Sequence, residues 1–222
     1  MSVIARTARP TAPVPPTTAT RARRWLAVGA YAGPVFLLGS FAQLPLNPGF
    51  DMTRHAFSFL SNGPYGWIQQ TVFVVTGLLN VAAGIGLGQT LTGRTRLVAA
   101  VSAMLLGAGQ IVAGVWAPDP AFGYPAGAPA GYPERVSLAS ALHGVGFSTS
   151  VLSWVVLLVT LAVWLRRTGR GRSAAVTSGI AVAVLLVPPL LGTPFGTVLL
   201  YLVMTSAFMF TAALFRRLSQ IS

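Results

Sequence analysis

Apolar residues in this chain fall into six long runs, at about residues 25–46, 67–91, 97–117, 137–165, 174–191 and 195–214, separated by polar or Gly/Pro-rich breaks. A helix needs roughly 20 consecutive apolar residues to cross the hydrocarbon core of a bilayer. The pattern therefore predicts an all-α fold, a polytopic transmembrane bundle of six helices over residues 25–217. Residues 1–24 are rich in Pro, Thr, Ala and Arg and lack the apolar core of a secretory signal, so they read as a disordered tail. Residues 218–222 form a short C-terminal extension.

Within the runs, polar and small residues recur at helical spacing. The second run carries Gln69, Phe73, Thr76 and Asn80 on one face, and the fourth carries His143, Phe147, Ser150 and Trp154. Gly29, Gly33, Phe36, Ser40 and Gln43 form a similar stripe in the first. A polar side chain finds no partner in lipid, so these stripes are expected to face other helices, as packing contacts or as the wall of a cavity. Pro34 and the pair Pro188-Pro189 are expected to bend the first and fifth helices, because proline removes a backbone donor and clashes with the preceding turn.

Composition agrees with a bilayer protein. Hydrophobic residues make up 54% of the chain and charged residues only 8%, against about a quarter in soluble domains. The absence of cysteine removes disulfides, thiolate metal sites and a cysteine nucleophile. All fifteen basic residues are arginine, which fits the codon usage of a GC-rich bacterial genome.

With six spans both termini lie on one side, and every arginine except Arg54 and Arg135 falls on that side. By the positive-inside rule that side is the cytoplasm of a plasma-membrane protein. The net charge of +12 is then a topology signal rather than a nucleic-acid surface. The expected partners are membrane lipids, including anionic headgroups, and no nucleic acid.

The three acidic residues Asp51, Asp119 and Glu134, and the two histidines His55 and His143, all fall at or near the opposite, outward face. Two long loops lie there, residues 47–66 and 118–136, and the third outward connection is the tight turn 192–194. Asp51, His55 and Ser58 are spaced to share one face of a helix. Turn signals on either side predict a short interfacial helix over Asp51 to Leu60.

If the loops fold over the mouth of the bundle, Asp51, His55, Asp119 and His143 become candidate catalytic residues. An aspartate beside a histidine fixes its tautomer and raises its basicity, as general acid–base chemistry needs. Ser58 would supply a nucleophile. Ser58, Trp67, Gln69, Asn80, Glu134 and Ser150 are the candidate ligand-binding residues. The plainer readings are that Asp51 and Glu134 pair with Arg54 and Arg135, that Asp51 caps a helix, that Asp119 is a turn residue, and that each histidine bonds a backbone carbonyl. No zinc-ligand spacing such as H-E-x-x-H occurs, so neither a metal nor a cofactor is expected.

Three segments, PGFDMTRHAFSFLSNGPYGWIQQTVFVVTGLL (48–79), GVWAPDPAFGYPAGAP (114–129) and SLASALHGVGF (137–147), occur in this order. Together they resemble the domain of unknown function 998 family, small polytopic membrane proteins, over about Gly33 to Arg217. The resemblance implies a six-helix membrane protein with Asp51, His55, Ser58, Trp67, Asp119 and His143 as hallmark residues, and it brings no activity with it. The outward His, Asp and Ser set is also similar to that of membrane hydrolases such as alkaline ceramidases. This chain departs from them in having six spans and no second histidine four residues from either one.

The leading expectation is a membrane protein whose outward loops cover a polar cavity for an apolar or amphipathic small molecule, a lipid or isoprenoid. The alternatives are a membrane enzyme, either a lipid hydrolase or a proton-initiated terpene cyclase, and a non-catalytic subunit or sensor.

Overall fold

The structure, a computed structural model, describes residues 17–191, 193 and 195–221. Most of the expected N-terminal tail, residues 1–16, lies outside the described residues, as do Gly192 and Pro194 of the tight turn and Ser222. Among the described residues the fold is entirely helical. It comprises α1 (Thr18–Gly29), α2 (Ala32–Ala42), α3 (Gly66–Thr90), α4 (Gly93–Val115), α5 (Leu138–Arg167), α6 (Gly171–Leu186) and α7 (Gly196–Ile221), with short 3-10 turns at Leu44–Leu46, Phe57–Asn62 and Pro188–Leu190.

Six segments are long and apolar enough to cross a membrane, with α1 and α2 together making the first. Large apolar side chains such as Leu78, Leu97, Leu138, Leu152, Leu202 and Phe195 lie exposed on the outside of the bundle. In a soluble protein that surface would aggregate; here it is the surface that meets lipid.

The prolines act more sharply than a bend. A proline ring collides with the carbonyl four residues earlier, which for Pro34 is that of Ala30. The first span accordingly breaks at Ala30–Tyr31 into α1 and α2. At the pair Pro188-Pro189 the helix ends: α6 stops at Leu186 and the chain goes on as a 3-10 turn. Helix α1 also begins earlier than Trp25. The Thr17 hydroxyl accepts from the Thr20 N–H at 3.3 Å, an N-cap that starts the helix at Thr18 and makes Arg21, Arg23 and Arg24 helical rather than part of a tail. At the other end α7 runs on through the expected extension to Ile221.

Helix α4 packs between α3 and α5. Small residues let the backbones close up: a Cβ on Gly77 would lie 2.5 Å from the Gly107 carbonyl oxygen across α3–α4, and one on Gly109 would lie 2.5 Å from that of Gly146 across α4–α5. Close backbone approach of this kind replaces the hydrophobic drive that lipid does not supply. The polar stripes face inward as expected, with Ser40, Gln43, Gln69, Thr76, Asn80, Gln110, His143 and Ser150 all buried.

Candidate functional site: a two-loop lid over an aromatic cavity

The lid is built from the two long loops, residues 43–65 and 116–137, and its local structure differs from the interfacial helix expected over Asp51 to Leu60. Residues 51–54 form a turn, closed by Arg54 and His55 N–H groups donating to the Asp51 carbonyl at 3.0 and 2.8 Å. Only Phe57–Asn62 is helical, and it is 3-10. The reason lies in the Asp51 side chain, whose Oδ1 accepts from both the N–H and the hydroxyl of Thr53, at 2.8 and 2.7 Å. Asp, Ser and Thr side chains that bond nearby backbone favour such turns over helix. These bonds from Thr53 hold the Asp51 carboxyl below the usual carboxylate range.

His55 is buried in this lid and both its ring nitrogens are used. Nδ1 accepts from the Asp51 backbone N–H at 2.9 Å, which leaves Nε2 as the protonated nitrogen, donating to the Phe122 carbonyl of the second loop at 3.0 Å. Its own carbonyl accepts from the Tyr201 hydroxyl of α7 at 2.5 Å. One residue thus ties the first loop to itself, to the second loop and to the bundle. A second tie runs from the Tyr124 hydroxyl to Asn47 Oδ1 at 2.8 Å, and Asn47 Nδ2 donates onward to the Gln43 carbonyl. Burial pushes the Tyr124 hydroxyl above its ordinary range, so it remains a donor. Phe50, Phe59, Phe122 and Tyr124 close around the imidazole or one another at centroid distances of 5.4 to 6.0 Å. Phe122 sits at φ +56°, a left-handed conformation uncommon for a bulky residue, held there by contacts on both its backbone and its ring.

Asp119 serves the start of α5. Its Oδ2 accepts from the Ser137 N–H at 2.8 Å, and its own N–H donates to Ser140 Oγ at 3.1 Å. A carboxylate at a helix N-terminus satisfies an orphan donor and meets the positive end of the helix dipole. Hydrogen bonds from Ser137 hold this carboxyl low as well.

Beneath the lid lies a narrow cavity of about 90 Å³ between α2, α3, α4, α5 and α7. Its walls are aromatic and aliphatic, including Phe36, Phe57, Phe73, Phe147, Trp154, Phe208, Leu200 and Met204. The expected polar cavity is therefore an apolar one. The polar stripes pair in part across helices instead, while Ser40 Oγ, Gln43 Oε1, Gln69 Nε2 and Thr76 Oγ1 stay buried without a hydrogen-bond partner among the described residues. Gln43 donates to Gln69 Oε1 at 2.8 Å, Asn80 donates to Gln110 Oε1 at 2.8 Å, and Trp154 donates to Thr211 at 2.9 Å.

The polar groups that do line the cavity are Ser58, Gln110, His143, Ser150 and Tyr201. His143 Nδ1 donates to the carbonyls of Ala113 and Trp116, at 2.9 and 2.8 Å, at the C-terminal end of α4 where helix carbonyls lack partners. Its Nε2, and the side-chain nitrogen of Gln110, have no hydrogen-bond partner among the described residues. Ser150 Oγ donates to Gly146 and Leu106 carbonyls at 2.9 and 3.2 Å.

The candidate residues therefore separate into groups. Asp51 and His55 are adjacent, but through the Asp51 backbone rather than its carboxylate. Asp119 caps α5, and His143 lies in the cavity with Ser58 and Ser150. Gln69 and Asn80 belong to buried amide pairs, while Trp67 and Glu134 are exposed. No hydrogen bond links Ser58 to either histidine, and no three His, Asp or Glu residues come together, among the described residues. Two further participants, Gln110 and Tyr201, lie at helical spacing in the third run (Ala103, Gly107, Gln110, Gly114) and the sixth (Thr197, Tyr201, Thr205, Phe208), a signal that marks an inward face but no role. Asn47 and Tyr124 carried no signal, since their meaning lies in contact with each other.

Compared with known families, residues 30–219 match the model described as protein of unknown function (DUF998). The chain belongs to the DUF998 family. No curated protein and no solved structure matches it. Family and fold together make this DUF998 member a multi-pass membrane protein.

Proposed function

We propose that this DUF998 protein binds the apolar chain of a lipid-like or isoprenoid molecule in the cavity beneath the lid. The observation that carries the reading is an aromatic-walled cavity whose unpartnered polar groups are few and neutral: His143 Nε2, an acceptor, the Gln110 amide, a donor, and the Ser58 hydroxyl. At about 90 Å³ it admits a narrow chain segment rather than a drug-sized ligand, whose pockets run from roughly 300 Å³. A neutral hydroxyl suits these groups, since it can donate to His143 or accept from Gln110. A carboxylate or phosphate finds no cation there, since no charged side chain lines the cavity and burying an unpaired charge is costly. The enzyme reading has less support, because the Asp51 and Asp119 carboxylates are engaged by Thr53 and Ser137 away from the cavity.

The test is photolabelling of the purified protein with a diazirine-bearing long-chain alcohol. Labels are expected on α5 and α7 around residues 143–154 and 200–208, competed by unlabelled alcohol. His143→Leu is expected to weaken labelling about tenfold, the equivalent of about 1.4 kcal/mol and the size of one hydrogen bond. Labels confined to the outer faces, at Leu152 or Leu202, and not competed, would sink the proposal.

The arginine distribution supports a lid that faces outward from a plasma membrane, with both chain ends in the cytoplasm. A membrane-impermeant maleimide is then expected to label a cysteine introduced at Gly131 in intact cells. Labelling only after lysis would reverse the orientation.

A further inference from the structure

A second groove, of about 230 Å³, lies at the end of the bundle opposite the lid, where the C-terminal turns of α5 and α7 meet the start of α6. We propose that it holds the phosphate headgroup of an anionic phospholipid. Arg170, at the N-cap of α6, and Arg217, in α7, both line it, together with Ser173. Its floor is apolar, with Leu161 and Leu214 among its residues, and continues into the membrane-spanning parts of α5 and α7.

Three observations converge on this occupant. First, no acidic side chain among the described residues lies near the two guanidinium groups: Asp51, Asp119 and Glu134 all lie in the loops at the lid end. Second, the Arg170 guanidinium sits over the Trp164 ring, 5.6 Å from its centroid. That contact holds the cation in place with its planar donors free to bond phosphate oxygens. Third, a site with two cations above aliphatic side chains matches a headgroup joined to an acyl chain, whereas free phosphate would have no use for the floor. Indole and arginine at the end of a transmembrane helix are also placed at headgroup depth. The groove is remote from the cavity under the lid, so the two proposals stand or fall separately.

Native mass spectrometry of the purified full-length protein, titrated with phosphatidylglycerol and phosphatidylcholine of the same acyl chains, tests this. Wild type is expected to retain phosphatidylglycerol at least tenfold better than phosphatidylcholine. Arg170→Gln/Arg217→Gln is expected to lose that preference, while Arg94→Gln/Arg96→Gln, which removes the same charge at the same end of the bundle, keeps it. Should the double variant fail to fold, each single Gln variant is expected to lower the preference about threefold. Equal losses in the two double variants would overturn the site in favour of diffuse surface charge. Equal retention of the two lipids would also overturn it, and so would displacement of the lipid by millimolar inorganic phosphate.

Discussion

Gly107→Val is expected to lower the melting temperature of the bundle sharply. Helix α4 is held on both sides by backbone contact, and Gly107 is where its backbone comes nearest to that of α3, with further close approaches at Gly84–Ala100 and Gln70–Gly114. A Cβ there would run into the Gly77 carbonyl oxygen and come within 2.9 Å of the Val81 backbone nitrogen, and neither can rotate away as a flexible side chain would. The helices must separate. Overpacking a well-fitted core costs typically 1–3 kcal/mol, and here separation also strips the contacts flanking the crossing, so a loss of about 3 kcal/mol or more is expected. Set against total stabilities of about 5–15 kcal/mol, that is a large fraction. Size-exclusion profiles and melting curves in detergent should show aggregate and a sharply lowered Tm. Gly144→Ala is the matched control, because an added Cβ there meets nothing within 4 Å, and it should melt like wild type. If Gly107→Val also does, the close α3–α4 crossing is wrong.

The parts of this structure legible in the sequence are those set by local chemistry. Length and hydropathy place six spans, helical spacing assigns the buried stripes, and the clash geometry of Pro34 accounts for the break at Ala30–Tyr31. What the stripes do was harder to read. A run such as Gln69, Thr76 and Asn80 suggests a polar cavity, but amides in a lipid-immersed bundle gain most by bonding one another. Gln43 with Gln69 and Asn80 with Gln110 did so, leaving aromatic residues to line the space.

The lid was less legible still, because its ties join residues far apart in the chain. His55 reaches Phe122, Asn47 reaches Tyr124, and Tyr201 reaches back to His55. The spacing of Asp51 and His55 correctly suggests that they meet. It does not say that the histidine takes the backbone N–H while Thr53 takes the carboxylate.

That arrangement leads to the expected result for His55→Ala: the two loops come apart while the bundle stays folded. The substitution removes the bond from Nε2 to the Phe122 carbonyl and the acceptor for the Asp51 N–H, and it empties a site packed by Phe50 and Tyr124. Two part-buried backbone groups lose their partner, each at the lower end of the cost of about 1–3 kcal/mol for a fully buried one. Each 1.4 kcal/mol is a factor of ten in an opening equilibrium, so amide hydrogen exchange around Asp51 and Phe122 to Tyr124 should speed up by roughly a hundredfold. Exchange in α3, α4 and α5 should not change, because the Tyr201 bond goes to the His55 backbone and survives the substitution. His55→Gln should fall between the two, since its amide nitrogen can replace Nε2 toward Phe122 without serving Asp51. Phe122 reports on the same clamp: its left-handed backbone is kept in place partly by His55, so freeing the loop lets it relax to a conformation that makes reclosing slower. Wild-type exchange rates in both loops of His55→Ala would mean that the aromatic cluster and the Tyr124–Asn47 bond hold the lid without the imidazole, and His55 would then be free for a chemical role.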